Sequence, residues 1–449
     1  MLLAGLYQVG ADLPSAGRAL SLVAGGSAVA LTAGLARRAL PESPWLGAGA
    51  ALLVAANPCF AAWGSSGLET TAFAALVLAA VAPLTGAAPS ARSFGWVSAA
   101  GLALGLTRPE GVAIYAVLAG VALACAPGPL AARVRVLAPG AALFALAGGV
   151  YFAWRVWYFG DWLPNTFWAK SGFSAHHAVR GLAYLWAFAQ SPYVWALAPL
   201  AAAGAFELWR RREPAPLAAL AAVVGLVVAL GGDGLPMYRF LVPAVPLAAL
   251  CAAAGAELLA RLAREGAARH ALGLAVLVPA LALSFFPAHD AQYSLMTEQR
   301  DYELPRWRAA GLALGHAFPR DAWLAAVPIG ALGWYSDLRV IDMVGLTDRT
   351  IAHEPGDTGT GWAGHEKHDG RYVVSRRPDA ILLGNILVVE APRVPVQIFP
   401  TFTNPYTAAR EHDVVEQPEF ARDYALAALP VGSGWTLHFF VRKDSPVAR

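Results

Sequence analysis

The stretch SFGWVSAAGLALGLTRPEGVAIYAVLAGVALACAPGPLAARVRV, Ser93 to Val136, decides the fold. Two apolar runs, Gly95 to Thr107 and Gly111 to Leu130, are split by TRPEG and followed at once by Arg133 and Arg135. Neither run alternates with a period of two and both lack charge, so they read as helices suited to a lipid solvent rather than as half-buried strands. Gly95 to Thr107 falls short of the roughly 20 residues of a straight span, so it must borrow flanking residues or be partly re-entrant. The same signature recurs on either side. Ala19 to Ala36, Trp45 to Trp63 and Thr71 to Gly86 precede it, and Val136 to Trp154, Ser191 to Phe206, Ala215 to Gly231, Phe240 to Ala256 and Ala271 to Pro287 follow. The expected fold is membrane all-α, a polytopic bundle of about ten transmembrane helices.

Composition agrees, with 57% hydrophobic residues, 14% charged and a mean hydropathy of +0.50. The charge is uneven. Residues 1–287 hold 17 of the 33 basic and 10 of the 30 acidic residues, a net +7, which leaves about −4 for the rest. The overall +3 and the pI of 8.8 therefore point to basic loops at a membrane surface and give no reason to expect nucleic acid. Cys59, Cys125 and Cys251 all lie in apolar runs, so no disulfide framework or zinc site can be argued. After Pro287 charges reach ordinary density and β-like runs appear at Trp323 to Val327, Leu338 to Val344, Ala380 to Leu383 and Trp435 to Val441. The expected division is a transmembrane helical domain, 1–287, and a soluble α/β domain, 288–449.

Basic residues in the loops set the orientation, because cytoplasmic loops retain positive charge. One alternating set of loops holds eleven: Arg37, Arg38, Arg92, Arg133, Arg135, Arg210, Arg211, Arg212, Arg261, Arg264 and Arg269. The other holds six: Arg18, Arg108, Arg155, Lys170, Arg180 and Arg239. The eleven-rich side is assigned to the cytoplasm, which places the N-terminus and the α/β domain outside.

The loops on the outer side carry polar residues that a spacer does not need. They are WGSSGLET (Trp63 to Thr70), TRPEG (Thr107 to Gly111), YFGDWLPNTFWAKSG (Tyr158 to Gly172) and GGDGLPMYRF (Gly231 to Phe240). Ionisable groups at membrane depth cost several kcal/mol unless paired or hydrated, so these loops read as the rim of a polar cavity. The alternative is that Arg108 with Glu110, or Asp233 with Arg239, are ion pairs tying helices together. The expected shared site comprises Glu69, Glu110, Asp161 and Asp233 with the cations Arg108, Lys170 and Arg239. In the longest loop Pro164 breaks the helix, Asn165 and Thr166 offer uncharged hydrogen bonds, and Trp162, Phe167 and Trp168 beside Lys170 suit a sugar or a lipid-linked phosphate, although an aromatic belt looks similar.

The order SSGLET, TRPEG, GDWLPNTFWAK, then GGD with a following Arg, together with GALGWYSDLRVIDMVGLTDRTIAH at Gly330 to His353, resembles the bacterial GT-C glycosyltransferases, and among them the mycobacterial terminal arabinofuranosyltransferase and its relatives. The resemblance implies a GT-C-like bundle with an extracytoplasmic C-terminal domain in a bacterial cytoplasmic (inner) membrane. It also implies inverting transfer of a sugar from a polyprenyl-phosphate donor to a cell-envelope glycan or lipid-linked acceptor. In such enzymes a carboxylate in the first outer loop is the general base, often as an adjacent acidic pair, and cations hold the leaving phosphate. Here MLLAGLYQVGADLPSAGRALSL looks like the segment that follows that loop, and Asp12 stands alone. The expectation is therefore a missing N-terminal catalytic loop, with Asp161 or Asp233 as fallback bases. Substrate binding is expected of Glu69, Arg108, Glu110, Asp161, Asn165, Lys170, Asp233 and Arg239.

The cluster GHEKHDG, Gly364 to Gly370, lacks the HExxH spacing and reads as a polar loop, so no metal site or cofactor is assigned and a divalent ion stays open. The chain has no P-loop and no G-x-S-x-G elbow, which removes ATPase and α/β-hydrolase readings. Two other classes compete. A transporter or flippase should show repeated halves and midplane charges, and neither is visible. A non-catalytic homologue that binds lipid-linked sugar fits the absent acidic pair.

Overall fold

The computed structural model describes residues 2–170, 174–195, 197–261, 278, 282, 291–356, 358–383, 387–390, 413–432 and 435–445. Its helices in chain order begin with α1 (Leu2–Gln8), α2 (Leu13–Ala39), α3 (Leu46–Ala56), α4 (Pro58–Gly64), α5 (Thr70–Val81), α6 (Ala91–Thr107) and α7 (Gly111–Cys125). They continue with α8 (Leu130–Phe159), α9 (Asn165–Lys170), α10 (Ala175–Ala189), α11 (Pro192–Trp195), α12 (Ala198–Arg210), α13 (Pro214–Leu230) and α14 (Ala244–Ala260). The C-terminal part adds α15 (Ala291–Glu298), α16 (Leu304–Ala317), α17 (Ile329–Ser336), α18 (Arg349–Ala352), α19 (Gly370–Ser375) and α20 (Pro418–Asp423). Each apolar run up to Phe240–Ala256 carries a helix, while Ala271–Pro287 lies almost wholly outside the described residues.

Length separates these helices from ten straight spans. Among the described residues, Leu13–Ala39 and Leu130–Phe159 are long and apolar enough to cross a membrane, and the bent pair Leu46–Ala56 and Pro58–Gly64, kinked by 68°, makes a third if counted as one. Thr70–Leu84, Gly111–Cys125, Pro214–Leu230 and Ala244–Ala260 are apolar but shorter. Local chemistry sets their ends. Asn57 accepts a hydrogen bond from Phe60 N at 3.0 Å and starts α4 just before Pro58, Ser90 caps α6 through a reciprocal pair with Ser93, and Gly231 in the left-handed region (φ 83°) stops α13.

The chain divides into two compact units, Met1–Trp162 with Gly181–Tyr293, and Leu163–Arg180 with Ser294–Arg449. Residues 163–180, which the sequence reading leaves in the helical part, thus group with the C-terminal unit.

In the first unit α2 packs on α3 and α5, α6 on α7 and α8, and α14 on α12, α3 and α2. The α12–α14 contact is backbone on backbone: a Cβ at Gly204 would stand 1.7 Å from the Cys251 carbonyl, and one at Gly255 2.1 Å from the Leu200 carbonyl. The loops of this unit gather at two ends. At one, Arg38 Nη1 donates to Ala82 O (2.9 Å), Arg211 Nη1 to Ala39 O (2.9 Å), and Gly86 N to Glu213 (3.0 Å). At the other, Ser21 Oγ donates to Leu68 O (2.8 Å) and Trp63 Nε1 to Met237 O (3.0 Å).

The first of these ends holds a buried ionic network absent from the sequence expectations. Glu207 and Glu257 are 3% and 0% exposed. Arg211 bridges them, Nε lying 2.9 Å from Glu207 Oε1 and Nη2 bonding Glu257 Oε2, and Arg261 joins Glu207 (2.9 Å), Glu42 (3.2 Å) and Glu257 (3.5 Å).

The second unit is a three-layer α/β structure. Its strands are β1 (Trp323–Ala326), β2 (Arg339–Asp342), β3 (Ala380–Ile381), β4 (Leu387–Glu390), β5 (Tyr424–Gly432) and β6 (Trp435–Arg442), in the order β2-β1-β3-β6-β4 with β5 also paired to β6. β1 runs parallel to β2 and β3, with Leu324 opposite Val340 and Ala380, while β6 is antiparallel to β3, β4 and β5. Side-chain alternation feeds two cores. Leu324, Leu437 and Phe439 meet Leu314 and Leu332 on one face, and Ala325, Ile341 and Phe440 meet Val373 and Phe420 on the other. All four β-like runs of the sequence become strands. β4 and β5 are additions.

Candidate functional site

Four of the expected site residues converge in the first unit. Arg108 is the extended C-cap of α6 and Glu110 the N-cap of α7, so the TRPEG turn folds the carboxylate back onto the guanidinium, Nη2 to Oε1, at 2.6 Å. In GGDGLPMYRF, Arg239 grips Asp233 through two bonds, Nε to Oδ2 at 2.7 Å and Nη2 to Oδ1 at 3.1 Å. Both guanidiniums share one ring, with Arg108 Cζ 4.4 Å and Arg239 Cζ 5.1 Å from the Phe240 centroid. Phe73 lies 5.3 Å from Arg108 and Trp63 5.8 Å from Arg239. The result is an alternating row, Phe73, Arg108, Phe240, Arg239, Trp63, in which aromatic faces partly replace the water that each cation has lost. The two Cζ atoms can be no further apart than the sum of their distances to the shared ring. A narrow cleft with only about 20 Å³ of open space, lined by Phe73, Ile114, Val223 and Phe240, opens beside the Arg108–Glu110 pair.

The loop presenting Asp233 and Arg239 is strained. Met237 (φ 58°) and Tyr238 (φ 47°) occupy the left-handed region in succession, a conformation costing roughly 1–3 kcal/mol per non-glycine residue and concentrated at functional sites. Fixed partners hold it there. Trp63 Nε1 donates to Met237 O, Met237 N donates to Gln292 Oε1 at 3.1 Å, and the Tyr238 ring meets Tyr184 and Phe188 edge-on at 5.5 and 5.2 Å.

The remaining expectations fare differently. Glu69 is the residue before α5, and its carboxylate makes no hydrogen bond or ion pair among the described residues. Asp161 is buried, 7% exposed, just after α8 ends at the left-handed Gly160. Asn165 and Lys170 delimit α9 and belong to the second unit.

Within the second unit, segment 163–180 is bound to the loop that carries GHEKHDG. Arg180 Nη1 lies 3.1 Å from both oxygens of Glu366, whose Oε1 also accepts Gly359 N and Gly361 N at 2.7 Å each. The Trp168 ring stands 4.8 Å from His353. His177 is 1% exposed, its Nδ1 lies 2.8 Å from Ser174 Oγ, and burial, with the nearby Arg180, pushes its pKa down. The other residues of the cluster turn to separate partners: His365 stacks on Trp362, Lys367 donates to Glu354 O and Gly356 O, and His368 meets Asp413 at 3.2 Å. Among the described residues no three His, Cys, Asp or Glu side chains are grouped to hold a metal ion.

The string at Gly330 to His353 takes a structural role. Asp342, fully buried at the end of β2, accepts Val344 N (3.0 Å), Thr347 N (2.8 Å) and Thr347 Oγ1 (3.2 Å), while burial raises its pKa. Asp348 caps α18 and accepts the Tyr372 hydroxyl at 3.1 Å.

Residues 291–439 match a family described as a domain of unknown function, DUF8728. No curated protein sequence matches the chain. Among solved structures the chain is similar to ArnT from Cupriavidus metallidurans bound to undecaprenyl phosphate, at 14% identity over 73% of this chain and 71% of that one, with a TM-score of 0.45.

Proposed function

We propose that the protein is a multi-pass membrane protein of about ten spans that binds a polyprenyl-phosphate-linked sugar through Arg108 and Arg239 and passes the sugar to a glycan or lipid-linked acceptor on the outer face of the bacterial cytoplasmic membrane. One observation carries the reading: two guanidiniums flank a single ring inside an apolar helical unit, each balanced by its own carboxylate. A phosphate that reaches both guanidiniums finds paired N–H donors in a water-poor setting, where each charge-assisted bond is strong. In the transfer, the acceptor hydroxyl oxygen bonds to the anomeric carbon while the carbon–oxygen bond to the phosphate breaks. The hydroxyl proton goes to a carboxylate, for which Asp161 and Asp233 are the candidates, and the lipid phosphate leaves with the electron pair on its oxygen.

A second reading, binding of lipid-linked sugar without transfer, is favoured by the state of the acids: Glu110 and Asp233 are each already engaged by an arginine. Purified full chain in nanodiscs, heated with and without undecaprenyl phosphate, tests the binding claim. Stabilisation that requires the phosphate, absent with undecaprenol and lost in Arg108→Ala and Arg239→Ala, is expected; equal stabilisation by undecaprenol would refute it. Release of labelled acceptor product from a sugar-loaded donor then separates transfer from binding.

A further inference from the structure

We infer that Tyr184 is a positioning residue of this site, the hydrogen-bond donor that takes over the Asp233 carboxylate when Arg239 turns to a phosphate. The inference rests on the phosphate-binding reading above. Tyr184 lies on α10, and its phenol oxygen is shielded from solvent with no hydrogen-bond partner among the described residues. A Phe240 amide near that oxygen could only donate to it and would leave the phenol's own proton without an acceptor. Buried hydroxyls in folded proteins are nearly always paired, because an unpaired one lowers stability, so an orphan calls for an explanation.

The surroundings supply one. Gly232 has φ +72°, and a Cβ there would stand 2.7 Å from the ring Cγ, so the GGDG turn is moulded against this ring. Tyr238 closes the other side edge-on at 5.5 Å. Asp233 follows Gly232 in that turn, and its two bonds to Arg239, at 2.7 and 3.1 Å, occupy both carboxylate oxygens. With the arginine in place the carboxylate has no need of the phenol. Once a phosphate draws Arg239 away, Asp233 needs another donor, and the ring packed against the neighbouring Gly232 carries a phenol proton with no acceptor among the described residues. The orphan in the empty state is thus the partner held for the occupied one.

The test uses the full chain in nanodiscs, with undecaprenyl phosphate as probe. Tyr184→Phe is expected to leave the thermal midpoint of the empty protein unchanged or raised, because it removes an unpaired group. The same change is expected to weaken phosphate binding by about tenfold, the worth of one hydrogen bond to a charged group. In an Asp233→Asn background, which removes the anion to be stabilised, the added Tyr184→Phe change is expected to cost no further affinity. A lower midpoint in the empty variant, unaltered affinity, or the same loss in both backgrounds would each overturn the inference. A wild-type protein that ignores the phosphate would sink the functional reading itself, and this inference with it.

Discussion

Two groups of paired charges occupy the helical unit, and they are wired differently. Around Phe240 each pair is local: Glu110 is two residues from Arg108 and Asp233 six from Arg239, and both guanidiniums lie over aromatic faces. Around Glu257 the bonds join distant chain, Arg211 to Glu257 across 46 residues, Arg261 to Glu207 across 54 and Arg261 to Glu42 across 219. A local pair can open without separating any helices, whereas a network fastening α12, α14 and the turn after α2 cannot. On the function proposed above, the first group is the binding one and the second a fastener.

The sharpest way to break this comparison is to remove Glu257. Taking one partner from a buried network leaves uncompensated charge and costs about 3–5 kcal/mol. Glu257→Ala should lower the unfolding midpoint of the full chain far more than any single change at the Phe240 row; an equal or smaller drop would erase the distinction. Next in size is Arg239→Lys, which keeps the charge but forfeits the two-pronged grip on a carboxylate or phosphate. Binding of undecaprenyl phosphate should weaken by about 1.5–3 kcal/mol, with stability lowered by about 1 kcal/mol or less. The reverse ranking, stability lost and affinity kept, would make this pair a fastener too.

The smallest effect concerns a third pair, Arg180–Glu366 in the α/β unit, with His177 beside it. Burial, then Arg180 and His176, lower the His177 pKa in the folded state, while Glu366 opposes them. The undocked segment therefore binds the proton more readily, and docking stability is lost as pH falls below the ordinary histidine value of about 6.5. Hydrogen exchange in 163–180, corrected for intrinsic rate, should quicken between pH 7.5 and 5.5 in the wild type and change less in His177→Asn. Identical pH dependence in both proteins would remove His177 from the explanation.

Much of the helical unit was legible because apolar runs need no partner to be recognised, and Gly95–Thr107 only extends back to Ala91, where Ser90 supplies the cap. Span lengths were less legible, since Gly231 and Pro243 trim helices through backbone chemistry that a hydropathy window averages away. At the site, Arg108 with Glu110 and Asp233 with Arg239 were readable because each pair sits within one loop. Phe240 as their shared ring was not, because that contact depends on how α6 packs near the 231–241 loop. Glu207 and Glu257 each stand alone in apolar sequence, and their i,i+4 arginines are visible, but the cross-links between helices are not. Nothing in AYLWAF sets Tyr184 apart from Trp186 and Phe188. Only the turn at Gly232 singles it out.

The helix Leu130–Phe159 has a consequence for the kind of bilayer the protein tolerates. At 1.5 Å per residue its 30 residues reach about 45 Å, against a hydrocarbon layer of about 30 Å. Along that length only Leu137 and Gly140 are buried. Arg133 and Arg135 mark one end, and the other carries Trp154, Tyr158 and Phe159, whose rings stack at 5.5 Å and meet edge-on at 4.8 Å. Such a helix is a ruler with a charged foot and an aromatic head. On the membrane-spanning reading proposed above, thinning the membrane would force it to tilt or would lift the rings clear of the interface, so its length would suit the protein to membranes of a given thickness.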